Sequence, residues 1–205
     1  MERLATEQGW RLVVHAKSAC AFADHLVWVG RYKRAYTECA DWGEAVMAEV
    51  ARERPALVVL ASSRFIVLDV DGRPVQVKNQ PEPWDAALAR RIEQLRGSAA
   101  HVAILGDTPF SSFDVPECVA RTPGDLLACS TPSSTAVAVD RHARDRVVAE
   151  RTGATFIDPD PLVCPTEPCP PIIGNTLVFR DRNHLTHTFS VALAPYLLPD
   201  LPPLE

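Results

Sequence analysis

The chain has 205 residues and a mass of 22.5 kDa, enough for one globular domain with a sizeable core and short for two. With 47% hydrophobic and 23% charged residues it is neither a disordered nor a fibrous chain. A net charge of −5, a pI near 5.7 and the lack of a Lys/Arg block argue against nucleic acid or a polybasic membrane surface as partner and favour a small or neutral ligand. No apolar stretch approaches the roughly 20 residues of a membrane span, and the first residues lack the apolar centre of a signal peptide, so the chain by itself carries no export address.

In chain order, residues 1–8 have the pattern of the last turns of a helix ended by Gly9, with no start signal and no strand before it. In doubly wound sheets the first strand and the turn after it commonly supply a site's central group, and that element is expected upstream of Met1. The continuous apolar runs Leu12-Val13-Val14, Leu57-Val58-Val59-Leu60-Ala61, His101-Val102-Ala103-Ile104-Leu105 and Ala154-Thr155-Phe156-Ile157 predict strands buried on both faces, as in a parallel sheet covered by helices. Helical periodicity predicts helices over 41–54, 84–96, 134–152 and 186–198. Pro83 stands before the second of these, and Gly97 and Gly153 occupy helix-ending positions. Residues 107–131 read as a long loop, 159–171 as a Pro-rich one, and 172–179 as a small hairpin turning at Gly174-Asn175; 199–205 form a tail. Strands alternating with helices place the chain in the α/β class, as a layered α/β/α single domain.

Six cysteines fall into three close couples, Cys20 with Cys39, Cys118 with Cys129, and Cys164 with Cys169. Six cysteines allow 15 connectivities, and nearest-neighbour pairing staples three separate loops. The alternatives are free buried thiols, or half of a zinc site at 164–169. The absence of a CxxC pair and of a nearby short-spaced His favours disulfides, and with them an oxidising compartment.

The chemistry-bearing segment is Arg180-Asp181-Arg182-Asn183-His184-Leu185-Thr186. An Asp three residues before a His reaches the imidazole if the segment turns helically. It would then fix the tautomer and stabilise the imidazolium that forms when the other ring nitrogen takes a proton. The bland reading makes Asp181 a turn residue and His184 a surface side chain. Ser62 and Ser63 are the hydroxyls directly at a strand's carboxyl end, as candidate nucleophiles, turn caps or hydrogen-bond donors to substrate. Gly106-Asp107-Thr108-Pro109 imitates a Gly-Asp-Ser turn. Threonine followed by proline suits that role poorly, since proline lacks the N–H an oxyanion hole would use. Trp28, Tyr32 and Tyr36 are candidates for stacking on a sugar ring against a plain packing role, and Arg31, Lys33 and Arg34 for an anion site against a solvated loop.

Taken together, Gly9-Trp10-Arg11-Leu12-Val13-Val14, Lys17-Ser18-Ala19-Cys20, Tyr36-Thr37-Glu38-Cys39, Arg54-Pro55-Ala56-Leu57-Val58-Val59-Leu60, Gly106-Asp107-Thr108-Pro109, Val115-Pro116-Glu117-Cys118, Cys164 to Cys169 and Phe179-Arg180-Asp181-Arg182-Asn183-His184-Leu185-Thr186 resemble a known domain. It is the extracytoplasmic SGNH-hydrolase-like domain C-terminal to family-three membrane acyltransferases, which acylate bacterial cell-surface sugars. The resemblance implies a flavodoxin-like three-layer α/β/α fold with a mostly parallel sheet and the three disulfides Cys20–Cys39, Cys118–Cys129 and Cys164–Cys169. It also implies a catalytic Asp-x-x-His at Asp181 and His184. The family's nucleophilic serine lies in a Gly-Asp-Ser motif after the first strand, a motif not found in these 205 residues; the family's Asn block is not evident either, and Ser62 and Ser63 occupy roughly its region.

The implied partners are an acyl donor or acylated carbohydrate and the membrane acyltransferase domain. No cofactor, metal or nucleic acid is implied, and the location is the periplasm or cell surface. The expected function is esterase or O-acyltransferase chemistry, weak in this chain alone; the rival is a non-catalytic carbohydrate-binding or interaction module on the same fold.

Overall fold

A computed structural model describes residues 1–204. The chain opens with helix α1 (Glu2–Gln8), which Gly9 ends in the left-handed conformation (φ 69°) that a glycine adopts without a Cβ clash. Leu4 is fully buried. The chain groups into two compact units, one comprising residues 14–107 and 140–157, the other 1–13, 108–139 and 158–200.

The first unit holds the sheet. Strands β1 (Trp28–Val29) and β2 (Arg34–Ala35) pair antiparallel, and helix α2 (Thr37–Glu53) follows. The strands β3 (Leu57–Ala61), β6 (His101–Leu105) and β7 (Thr155–Ile157) form a parallel sheet in the order β3-β6-β7, with Val59 opposite Ala103 and Ile104 opposite Phe156. These are three of the four predicted runs. Their short continuous apolar sequences suit strands covered by helices, because no face has to meet water. Between β3 and β6 lie the hairpin β4 (Val67–Val70) and β5 (Arg73–Gln76) and helix α3 (Glu82–Arg96). Helix α6 (Val139–Thr152) leads into β7. Residues of α2, α3 and α6 (Val46, Val50, Trp84, Ile92, Leu95, Val148 and Ala149) share one core with Leu60, Val102 and Ile104 of the sheet. The fold is thus mixed α/β with a parallel sheet, the class the sequence predicts.

The second unit contains α1, α4 (Val115–Arg121), α5 (Ser133–Ala136), α7 (Asp160–Val163), the two-residue strands β8 (Ile172–Ile173) and β9 (Thr176–Leu177), and α8 (His187–Leu197). Its smaller core comprises Val115, Val163, Val178, Phe179, Phe189 and Leu193. Here β8 and β9 make the predicted hairpin, with Gly174 at φ 59°.

Two sequence expectations are corrected. Leu12-Val13-Val14 forms no strand and pairs with none among the described residues, and these residues are 40, 47 and 71% exposed. A run becomes a strand only if a neighbour offers a ladder, which apolarity alone does not supply. The helix predicted over 134–152 is two helices, because the Ala136 carbonyl accepts a hydrogen bond from Phe110 N–H (3.0 Å) and Val137 swings to extended angles. Gly97 and Gly153 end α3 and α6 as expected, the first in a right-handed and the second in a left-handed conformation (φ 68°). The β4–β5 hairpin escapes the periodicity although Asp71-Gly72, both at positive φ (52° and 75°), is a strong two-residue turn signal.

All three cysteine couples are disulfides in the nearest-neighbour pairing, Cys20–Cys39 in the sheet unit and Cys118–Cys129 and Cys164–Cys169 in the other. No cysteine is free. That removes the free-thiol and zinc alternatives.

Candidate functional site

Val178 and Phe179 are buried in the smaller core, and the chain leaves them to make a narrow loop. Its two arms are tied across by hydrogen bonds from Arg180 N–H to the His184 carbonyl and from Thr186 N–H to the Val178 carbonyl (both 2.9 Å), with Phe179 bridged antiparallel to Leu185. Thr186 anchors the far arm. Its hydroxyl donates to the Leu177 carbonyl (2.6 Å) and accepts Phe189 N–H (3.1 Å), capping α8.

Asp181 sits in this loop with each carboxylate oxygen committed. Oδ1 accepts the backbone N–H groups of Asn183 and His184, both at 2.8 Å. Oδ2 lies 2.8 Å from His184 Nδ1 and 3.9 Å from Arg180 Nε. The expected contact is therefore made, by a different geometry: an Asp side chain closing a turn on its own backbone rather than a helical turn. Partial burial works to raise the Asp181 pKa, but the two backbone N–H bonds, the bond from the His184 ring and the charge of that ring outweigh it and hold the carboxyl at about 2. An ionised carboxylate only accepts, so Nδ1 must carry the proton in this contact, and Nε2 of neutral His184 is left with its lone pair. The imidazole is 58% exposed. A base with an orienting carboxylate and an accessible Nε2 can take a proton from a hydroxyl placed against it.

The loop is also held from behind. Ser111 N–H donates to the Arg182 carbonyl (2.6 Å), and Ser111 Oγ receives the hydroxyl of buried Thr131 (3.2 Å) and the N–H of Phe113 (3.3 Å). Thr131 in turn exchanges backbone hydrogen bonds with Cys169 (3.1 and 2.9 Å), next to the Cys164–Cys169 disulfide. Neither Ser111 nor Thr131 is marked by any motif; both lie in the stretch expected only to be loop.

Ser62 and Ser63 follow β3 in the sheet unit, whereas Asp181 and His184 belong to the other unit. Ser62 is half-buried, and Ser63 Oγ accepts Phe65 N–H (3.3 Å), the turn-capping role weighed for it. The Gly106-Asp107-Thr108-Pro109 segment is structural on its Asp side: Asp107 Oδ2 accepts Arg64 N–H (2.8 Å) and Arg64 Nε–H (3.1 Å), and the pair is largely buried.

Residues 1–199 match the family described as the SGNH domain fused to AT3 domains. The chain belongs to this family. Among solved structures, this SGNH domain is similar to the periplasmic domain of a lipopolysaccharide acetyltransferase from Salmonella ser. Paratyphi A, with a TM-score of 0.65 at 13% identity over 97% of this chain and 74% of that one. At that identity the likeness establishes the fold. No curated protein matches the SGNH domain significantly. Among its described residues, no helix is long and apolar enough to cross a membrane.

Proposed function

We propose that the chain is the SGNH-type serine esterase or O-acyltransferase domain of a membrane acyltransferase, acting on acyl groups, acetyl first among them, of cell-envelope carbohydrate. The observation that carries this is the Asp181–His184 contact in a chain of the AT3-fused SGNH family. The structural neighbour, the periplasmic domain of a lipopolysaccharide acetyltransferase, supports the choice of acyl group and acceptor class. Three disulfides and no free thiol support a periplasmic or cell-surface location.

In this mechanism His184 Nε2 takes the proton of a serine hydroxyl as its oxygen attacks the acyl carbonyl. Asp181 steadies the imidazolium that results. The imidazolium then protonates the leaving alcohol as the tetrahedral intermediate collapses to an acyl-serine. In the second half-reaction His184 takes a proton from a sugar hydroxyl or water, which receives the acyl group, and the serine leaves reprotonated. The 205 residues hold no Gly-Asp-Ser motif, so the chain alone is expected to be little active.

Hydrolysis of p-nitrophenyl acetate tests the reading. The chain should turn over near background. A fusion supplying a Gly-Asp-Ser strand ahead of Met1 should turn over measurably and lose on the order of a thousandfold with His184→Ala. Robust turnover by the 205 residues, abolished by His184→Ala and by Ser62→Ala or Ser63→Ala, would move the nucleophile to those serines. A fusion indifferent to His184→Ala would favour the non-catalytic carbohydrate-binding module.

A further inference from the structure

The turn between β1 and β2 and the start of β2 read Gly30-Arg31-Tyr32-Lys33-Arg34, all exposed. Three cations in four residues stand out on a chain of net charge −5. The Tyr32 side chain is 57% exposed, with the guanidinium carbons of Arg31 and Arg34 at 6.0 and 5.7 Å from its ring centroid. Backbone hydrogen bonds hold the turn: Tyr32 N–H donates to the Val29 carbonyl (3.0 Å) and Lys33 N–H to the Gly30 carbonyl (3.3 Å). Lys33 takes the left-handed conformation (φ 50°). Tyr36 follows β2 at the head of α2, Lys17 Nζ lies 5.5 Å from its ring centroid, and the Cys20–Cys39 disulfide ties the two flanking segments together.

The charges are unevenly spent. Arg34 is committed to Glu38 by two hydrogen bonds of 2.6 and 3.0 Å, which chiefly hold the Glu38 carboxyl at about 2. No carboxylate among the described residues pairs with Arg31 or Lys33. An exposed ring on a braced turn thus carries two uncompensated cations beside it in sequence. A pyranose offers an apolar C–H face to such a ring, and a carboxylate on the sugar offers the anion that Arg and Lys bind. A membrane surface would instead call for large apolar side chains inserted among headgroups, and Tyr32 is the only apolar body in the turn.

We propose that residues 30–34 form a docking site for an acidic, uronate-bearing envelope glycan, with Tyr32 as stacking platform and Arg31 and Lys33 as carboxylate contacts. The choice of a glycan as occupant rests on the envelope-carbohydrate reading above; the site uses no residue of the Asp181–His184 pair.

Calorimetric titration of the 205-residue chain with polygalacturonate oligomers, with dextran as neutral control and phosphatidylglycerol vesicles as anionic membrane, tests this. Polygalacturonate should bind, more weakly as salt rises, and dextran should not. Arg31→Glu with Lys33→Glu should lower affinity by about tenfold or more, since like charges then face the carboxylates, and Tyr32→Ala by severalfold. All these positions are exposed, so unchanged thermal unfolding of the variants separates lost binding from lost folding. Equal binding of dextran, or undiminished binding by the double variant, overturns the proposal; capture of vesicles without polygalacturonate reassigns the turn to a membrane surface. The titration involves no ester turnover, so its failure leaves the acyl-transfer reading standing, and failure of the esterase test leaves this one measurable.

Discussion

In the sheet unit, β3, β6 and β7 share a core with α2, α3 and α6, and Trp84, Ile92 and Leu95 are all but fully buried there. The unit that carries Asp181 and His184 has only the two-residue strands β8 and β9, a smaller apolar cluster, and two of the three disulfides. Burial of apolar area is enough for the first. The second orders long irregular segments, whose conformational entropy a small core does not offset, and adds crosslinks and side-chain-to-backbone hydrogen bonds. Asp181 and His184, the proposed orienter and base, ride on the second kind of structure, where backbone N–H groups not consumed by a ladder are available to fix a carboxylate.

Four perturbations probe this contrast, in order of falling effect. Trp84→Ala in the sheet unit should cost about 3–5 kcal/mol in urea unfolding, because it empties a large core site and strips the ring from buried Arg141, whose Cζ lies 4.4 Å from the ring centroid. A loss below about 1 kcal/mol would show that this core is not what holds the sheet unit. Removing the Cys164–Cys169 crosslink by a double Ala substitution should cost about 2 kcal/mol, the value a loop this short gives in the chain-entropy model. It should also loosen the Thr131 and Ser111 bonds behind the loop of residues 180–186, seen as faster amide exchange at Ser111; unchanged protection there would uncouple the crosslink from the site.

Thr131→Val keeps the shape and removes the hydroxyl given to Ser111, for an expected loss of about 1 kcal/mol by denaturant titration.

The smallest stability effect belongs to Asp181. Its folded pKa of about 2 lies below the ordinary 3.8, so its contribution is present above pH 4 and is lost as pH falls toward 2. With the side chain 37% exposed, that contribution is only a fraction of ~1 kcal/mol. The stability gap between the parent and Asp181→Asn should accordingly close on acidification. The same variant should change the tautomer of His184. One amide oxygen must stay on the two backbone N–H groups, so the NH2 takes the place of Oδ2 and donates to Nδ1, moving the ring proton to Nε2. Nitrogen-15 spectra of neutral His184 that stayed Nδ1-protonated in the variant would break the assignment of Asp181 as orienter.

Much of the molecule was legible from local pattern. Three of the four apolar runs are the three strands of the parallel sheet, the 172–179 segment is a hairpin, and the Asp-x-x-His spacing does bring carboxylate and imidazole together. Leu12-Val13-Val14 misled because its composition is that of a strand while a strand exists only with a partner. Ser111 and Thr131 were invisible because hydroxyls in a loop acquire a role only through neighbours 20 and more residues away.

The sequence by itself determined the alternation of strands and helices, the three cysteine couples and the spacing of Asp181 and His184, since each is a property of residues close in the chain. The tertiary structure bears out the cysteine pairing that the family resemblance implies, and it decided where the predicted 134–152 helix breaks and by which turn Asp181 reaches His184. Each of these is a choice among competing hydrogen-bond or thiol partners. The Ala136 carbonyl turns to Phe110 rather than to its own helix, because folding brings that N–H within reach of a buried carbonyl, and the partly exposed Asp181 closes a local turn on Asn183 and His184 rather than starting a helix.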